Sequence, residues 1–316
     1  MPHQSFDVRI GTGTLSDGHS WSLAATVHLP DVAHNSERLP LIVCLPGGGY
    51  NRHYFSLQEP GYSEARHHMD RGVIVVAIDH MRVGESDIPE LQDASLEIAA
   101  EANDAVLKII LKRLCAGTLC DGVAPLQPSV IVGEGQSMGG HIALLMQANH
   151  RSFDGLAMLG SSAVCTRLPA KTVGEEICLL GKDNPSEGLA ALRTFDKRFA
   201  FHWEDVPEAY ASADGEASTL AYWLSATTPN AGGGLVPGHL SSKAAIVTVP
   251  IFIGMGERDV CQDPLREVAA YMSSRDVSYI VVPRMAHMHN FAGTRTMMWK
   301  RLSAFIAQVA DMRSDR

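Results

Sequence analysis

The segment Gly135-Gln136-Ser137-Met138-Gly139-Gly140 follows a short apolar run, Ser129–Val132, and leads into apolar residues at helical spacing over Gly139–Gln147. This is the pattern G-x-S-x-G set between a strand and a helix. The demand behind it is steric. A strand that turns sharply into a helix holds the serine in a strained backbone conformation, and the residues around such a turn must be small. The hydroxyl then projects beyond the sheet edge, where the helix N-terminus favours developing negative charge. A dinucleotide-binding loop is the competing reading, because Gly133 and Gly135 begin G-x-G. Its third glycine would fall at position 138, which is Met138.

A serine alone is a poor nucleophile and needs a base and a site for the oxyanion. Pro46-Gly47-Gly48-Gly49-Tyr50 follows the apolar run Leu41–Leu45, and its glycines let backbone N–H groups approach a substrate oxygen. Gly48 is the expected donor, with Gly49 as the alternative, and the second donor is Met138, the residue after the serine. The base is expected late in the chain, after the last strand run, Tyr279–Val282. His287 fits that place, and His289 lies two residues on. Read as a pair they suggest a metal, but the fuller H-x-H-x-D-H pattern is missing, since Phe291 and Ala292 occupy the later positions. No metal site is expected there, and His287 is preferred as base. The acid should follow the preceding strand run, Pro250–Met255. Asp259 is the best placed, ahead of Glu257, while Asp263 before Pro264 suits a helix cap. The order Ser137, Asp259, His287 is that of one known hydrolase arrangement.

Outward from these residues, strand and helix patterns alternate. Phe6–Ile10 and Trp21–Leu29 alternate as strands, and Leu41–Leu45, Val73–Ile78, Ser129–Val132, Leu156–Leu159, Pro250–Met255 and Tyr279–Val282 are short apolar runs suited to strands buried on both faces. Helical spacing recurs over Ser95–Leu114, Gly139–Gln147, Pro264–Ser273 and Thr296–Val309. The alternation implies an α/β protein with a mostly parallel sheet covered on both sides. From Val164 to Lys243 the rhythm breaks. This stretch carries Phe195, Phe199, Phe201, Trp203, Tyr210, Tyr222 and Trp223, and reads as a largely helical cap between two strands. The expected division is a core of residues 1–163 and 244–316 with a cap of residues 164–243. The cap aromatics either line a pocket at the domain junction or pack the cap to the core. Ala231–Gly234 reads as a flexible loop.

Composition narrows the function classes. With 316 residues and 46% hydrophobic content the chain can bury a full core, and 19% charged residues argue against a disordered polyelectrolyte. A net charge of −9 without a basic cluster makes nucleic acid and anionic membrane poor partners. Cys44, Cys115, Cys120, Cys165, Cys178 and Cys261 are scattered without a C-x-x-C pair, which points to a reducing compartment rather than a disulfide framework. Met1–Ile10 lacks the basic and apolar regions of a signal peptide, no apolar run is long enough to span a bilayer, and the one N-x-S candidate, Asn184-Pro185-Ser186, is excluded by its proline. A cytoplasmic location is expected.

Taken jointly, these motifs resemble the α/β-hydrolase superfamily over Leu41 to about Val309, interrupted by the cap. Ala77-Ile78-Asp79-His80-Met81-Arg82-Val83-Gly84-Glu85-Ser86 resembles that family's D-x-R-G-x-G-x-S segment, with Met81 where arginine is common and Arg82 where glycine is common. Pro46-Gly47 stands where many members have His-Gly. The resemblance implies an eight-stranded, mostly parallel sheet flanked by helices, an inserted helical cap, a serine–histidine–acid triad and no cofactor. The expected activity is hydrolysis of a carboxylic ester of a small, partly apolar substrate through an acyl-enzyme. Thioesters, lactones and carbon–carbon bonds stay open on the same triad, as does a non-catalytic small-ligand-binding protein. Serine at position 137 argues against chemistry that uses an aspartate nucleophile. The expected partner is a small-molecule substrate, and a homodimer stays open.

Overall fold

Leu41–Leu45 form a strand with every residue buried. Successive side chains of a strand point to opposite faces. Leu41, Val43 and Leu45 accordingly join one apolar layer, while Ile42 and Cys44 join another. Both faces of the sheet are therefore covered, which is why the run is continuously apolar rather than alternating. The computed structural model describes residues 4–31, 38–171, 177–178, 196–214, 220–261 and 263–314.

In chain order the strands are β1 (Gln4–Thr14), β2 (Ser20–Leu29), β3 (Leu41–Leu45), β4 (Ile74–Ile78), β5 (Ile131–Gln136), β6 (Gly155–Leu159), β7 (Arg167–Leu168), β8 (Ile177–Cys178), β9 (Ile251–Arg258) and β10 (Val277–Ala286). The helices are α1 (Glu64–Met69), α2 (Leu96–Ala116), α3 (Met138–His150), α4 (Lys197–Phe201), α5 (Glu208–Ala211), α6 (Ser241–Ala245), α7 (Pro264–Ala270) and α8 (Arg295–Ser314). The main sheet has eight strands in the order β1-β2-β4-β3-β5-β6-β9-β10. β1–β2 and β2–β4 pair antiparallel, and the rest of the sheet is parallel. This is the eight-stranded, mostly parallel architecture that the resemblance implies. The apolar faces of α2 and α3 complete one layer, and α1 and α8 complete the other.

Local chemistry sets the helix ends. Ser95 caps α2, its side chain accepting from the Ile98 N–H at 3.2 Å, and Gly117 ends the helix at a φ of 65°. Asp263 caps α7 by accepting from the Leu265 N–H, the structural role its place before Pro264 suggests. The Asp79–Ser86 segment is a scaffold. Asp79 accepts from the backbone N–H of Arg52 at 2.7 Å and pairs with its guanidinium, and Ser86 Oγ bridges Ala24 N and Asp79 O. Arg82, in the position where glycine is common, has a φ of 65°, a conformation glycine adopts without strain.

Between β6 and β9 the helical expectation needs refinement. The described helices there, α4, α5 and α6, are four or five residues long. Pro207, Pro229 and Pro237 interrupt the chain, and each removes a donor that a longer helix would need. Ala231–Gly234 does not read correctly as a free loop. Gly232–Leu235 is a 3-10 turn, and Gly234 lies so close to His141 that a Cβ would come within 2.6 Å of its Nδ1. Phe195 and Asn184-Pro185-Ser186 lie outside the described residues. Cys44, Cys115, Cys120 and Cys261 are free thiols. Among the described residues no helix is long and apolar enough to cross a membrane.

His80, at the C-terminal end of β4, is fully buried. Its Nε2–H donates to the Pro46 carbonyl at 3.0 Å, and its Nδ1 accepts from Asn103 at 3.0 Å. Burial lowers its pKa from 6.5 to about 4, against the smaller upward pull of those two bonds. The unfolded chain therefore takes up a proton near pH 6.5 that the native state refuses until about pH 4. Stability from this residue is present above pH 6.5 and falls as the pH drops toward 4. The expected result is a melting temperature that declines across this window in the wild type and declines less steeply in His80→Gln, measured by calorimetry at half-unit pH steps.

Candidate active site

Ser137 ends β5 and begins α3, with φ 54° and ψ −120°. This is the strained turn that the motif predicts. Gly139 makes it possible, since a Cβ there would meet Leu45 O at 2.0 Å and Pro46 O at 2.7 Å. The helix thus begins directly against the end of β3 and the glycine loop. The turn is held from the other side by Ser137 N donating to Leu159 O at 2.9 Å.

The structure brings the three expected residues together. Ser137 Oγ lies 2.9 Å from His287 Nε2, and His287 Nδ1 lies 2.8 Å from Asp259 Oδ1. Both Asp259 and His287 are buried. Asp259 follows β9, and its carboxylate also accepts from the Gly256 and Val260 N–H groups, at 2.8 Å each. Burial alone would raise its pKa, but the charges and hydrogen bonds of His289 and His287 outweigh that and hold the carboxyl below the ordinary range. The acid stays ionised, so His287 keeps its Nδ1 proton and leaves Nε2 to accept from the serine. Glu257, the weaker candidate, instead accepts from the Arg284 N–H at 2.8 Å.

Gly48 and Met138 both line the cavity above Ser137. Met138 is the first residue of α3, so its N–H has no partner within the helix. Gly49 borders an adjoining hollow instead. Arg52, His53 and Tyr54 do not line the Ser137 cavity.

Three residues of the site were not singled out by motif. His289 Nε2 donates to Asp259 Oδ2 at 2.6 Å, so the carboxylate bridges two histidines rather than one. Gln136 Nε2 donates to the His287 carbonyl at 3.0 Å, tying the serine turn to the histidine loop. His141, one turn into α3, lines the cavity and donates to Ser162 O at 3.1 Å, and burial lowers its pKa to about 4. Only the spacing H-x-H signalled the first. The other two had no signal beyond their closeness to Ser137 in the chain.

The cavity encloses about 390 Å³ and is bounded by both the core and the 164–243 stretch. Leu168, Phe201 and Pro229 from that stretch line it together with Leu91 and Met288. Among the described cap aromatics only Phe201 borders this space. Tyr210 and Trp223 pack against Phe291, Phe199 and Trp203 flank the Arg258 guanidinium, and Tyr222 accepts from the Gln58 N–H. Most of the described aromatics of residues 164–243 therefore pack that stretch against the rest of the chain.

A family model described as "Alpha/beta hydrolase family" matches residues 42–296. Among solved structures, the chain is similar to an esterase from Thermogutta terrifontis with malate bound, at 15% identity and a TM-score of 0.60, covering 96% of this chain and 99% of that one. It is similar to a carboxyl esterase from Bacillus coagulans in complex with glycerol, at 17% identity and a TM-score of 0.59, covering 98% and 99%. It is also similar to a soluble variant of the monoglyceride lipase from Saccharomyces cerevisiae, at 14% identity and a TM-score of 0.63, covering 92% of each chain. At these identities the likeness is one of fold. No curated protein matches the chain significantly.

His289 makes a testable contribution to the reactivity of Ser137. A hydrogen bond to a charged group contributes about 1.5–3 kcal/mol, and part of that holds Asp259 in register with His287. The rate at which a fluorophosphonate captures Ser137 is expected to fall by about tenfold in His289→Ala. His289→Gln, which keeps a donor, is expected to recover most of it, as read by intact-mass spectrometry over time.

Proposed function

The chain belongs to the alpha/beta hydrolase family, and from that premise we propose that it is a serine hydrolase acting on carboxylic esters of small, partly apolar molecules. The observation that carries this reading is the hydrogen-bonded series Asp259–His287–Ser137, with spacings of 2.8 and 2.9 Å, whose Ser137 and His287 members line one cavity. The esterase and lipase folds to which the chain is similar accord with it.

In the proposed reaction His287 Nε2 takes the Ser137 hydroxyl proton as Oγ attacks the ester carbonyl carbon. The carbonyl oxygen becomes an oxyanion held by the N–H groups of Gly48 and Met138. His287 then gives its proton to the departing alkoxide, which leaves as the alcohol. Water, deprotonated by the same imidazole, attacks the acyl-enzyme and releases the acid and free Ser137. Asp259 fixes the imidazole tautomer and stabilises the imidazolium in both steps. The division into a core and a 164–243 cap belongs to the same proposal. The cap supplies Leu168, Phe201 and Pro229 as an apolar wall, which favours an apolar acyl or alcohol group over a highly charged one.

A fluorophosphonate probe is expected to form one adduct, on Ser137, and none in Ser137→Ala. Hydrolysis of p-nitrophenyl butyrate is expected to fall by at least about 10³-fold in that variant. An adduct on another residue, or hydrolysis that survives Ser137→Ala, overturns the assignment.

A further inference from the structure

A second cluster of reactive side chains lies apart from Ser137, between β5 and α1. Glu64, His68 and Glu134 are 1%, 0% and 0% exposed. One donor atom from each lies within 4.8 Å of the other two. The hydrogen bonding of the three is divided in the same way. Each has an outer atom that is satisfied. His68 Nδ1 is paired with Ser303 Oγ at 3.2 Å, Glu64 Oε2 accepts from Asn290 at 2.7 Å, and Glu134 Oε2 accepts from the Cys44 thiol at 3.2 Å. Each also has an inner atom with no hydrogen-bond partner among the described residues: His68 Nε2, Glu64 Oε1 and Glu134 Oε1. His68 Nε2 and Glu64 Oε1 are 3.7 Å apart, too far for a hydrogen bond.

Buried polar atoms are almost always partnered, and three residues of one buried cluster that each keep an unpartnered atom call for a common partner. With Nδ1–H directed at Ser303, His68 presents the Nε2 lone pair inward, which is the tautomer a metal requires. Glu64 and Glu134 press against one another with no lysine or arginine partner among the described pairs, so a cation binding there would ionise both by displacing the proton they otherwise share. One imidazole nitrogen and two carboxylate oxygens form a zinc-type donor set. Donors about 2.0–2.2 Å from one ion lie up to about 4 Å apart; the 3.7 Å pair meets this, and an ion would draw in the remaining donor from within 4.8 Å. We propose that Glu64, His68 and Glu134 form a buried structural site for one divalent cation, zinc by its donor set. The outer bonds of Ser303, Asn290 and Cys44 orient the ligands. The ion joins α1 to β5, and through Asn290 it braces the loop that carries His287 and His289. Being buried, it is acquired as the chain folds.

The competing occupant of the same space is a proton shared between Glu64 and Glu134, and metal analysis separates the two. Untagged wild-type protein, expressed with zinc supplied and passed through a chelating resin, is expected to retain about one zinc per chain by plasma mass spectrometry. Wild type unfolded and refolded in chelator is expected to melt about 5 °C or more below the same protein refolded with zinc chloride. Glu134→Gln is expected to lower the retained zinc about tenfold, and His68→Gln serves if that variant does not fold. Below about 0.1 divalent metal per chain, with the same melting temperature after refolding with and without zinc, the shared proton is the occupant and the proposal is overturned. Stoichiometric manganese or iron instead keeps the site and overturns the choice of zinc.

Discussion

The contact on which the rest of this molecule depends is the approach of the start of α3 to the end of β3. Gly139 sits against the carbonyls of Leu45 and Pro46 at a distance no side chain allows. That contact forces Ser137 into its positive φ. It also aims the helix N-terminus at the space beyond the sheet and brings the glycine loop beside the serine. The parallel strands β3, β5, β6 and β9 all deliver their C-terminal ends to the same edge, so residues far apart in the chain meet there. Ser137 follows β5, Gly160 follows β6 and Asp259 follows β9, while His287 follows β10.

Electrostatics complete what topology begins. A buried carboxylate is costly unless it is paired and hydrogen-bonded. Asp259 meets that condition with two imidazoles and two backbone N–H groups. Two of these partners come from the strand end and loop beside the acid and two from the loop after β10, so the charge is stabilised before any ligand arrives. The Glu64–His68–Glu134 cluster has the opposite character, with satisfied outer atoms and unpartnered inner ones. The two clusters are linked by Asn290, which lies one residue from His289 and donates to Glu64.

The sheet and the Ser137–His287–Asp259 geometry were legible in the sequence because each rests on a short-range signal. Leu41–Leu45 could only be a doubly buried strand, and Gly135 to Gly140 spelled a turn with one steric solution. Elements whose stability comes from tertiary packing were harder to see. Helix α1 is six residues long, with charged and histidine side chains buried in it, so no amphipathic pattern marked it. Gln136 and His141 act through partners distant in the chain, which spacing cannot reveal, and the H-x-H spacing marked His289 without showing its bond to Asp259. For the aromatics of residues 164–243 the sequence left two readings open, pocket lining and packing. Aromatic density marks burial, and here most of the described rings pack against Phe291 or Arg258 rather than facing the cavity.

The loop carrying His287 is fastened to α4 by its backbone. His287 N donates to Ala200 O at 3.2 Å and Met288 N to Phe201 O at 3.0 Å, and the Phe201 ring rests 5.2 Å from the imidazole. The wall of the cavity and its base are thus one mechanical unit. Should α4 swing outward to admit a bulky molecule, the strain would fall first on the histidine, loosening it from Ser137. Widening the cavity at this wall is therefore coupled to the Ser137–His287 spacing.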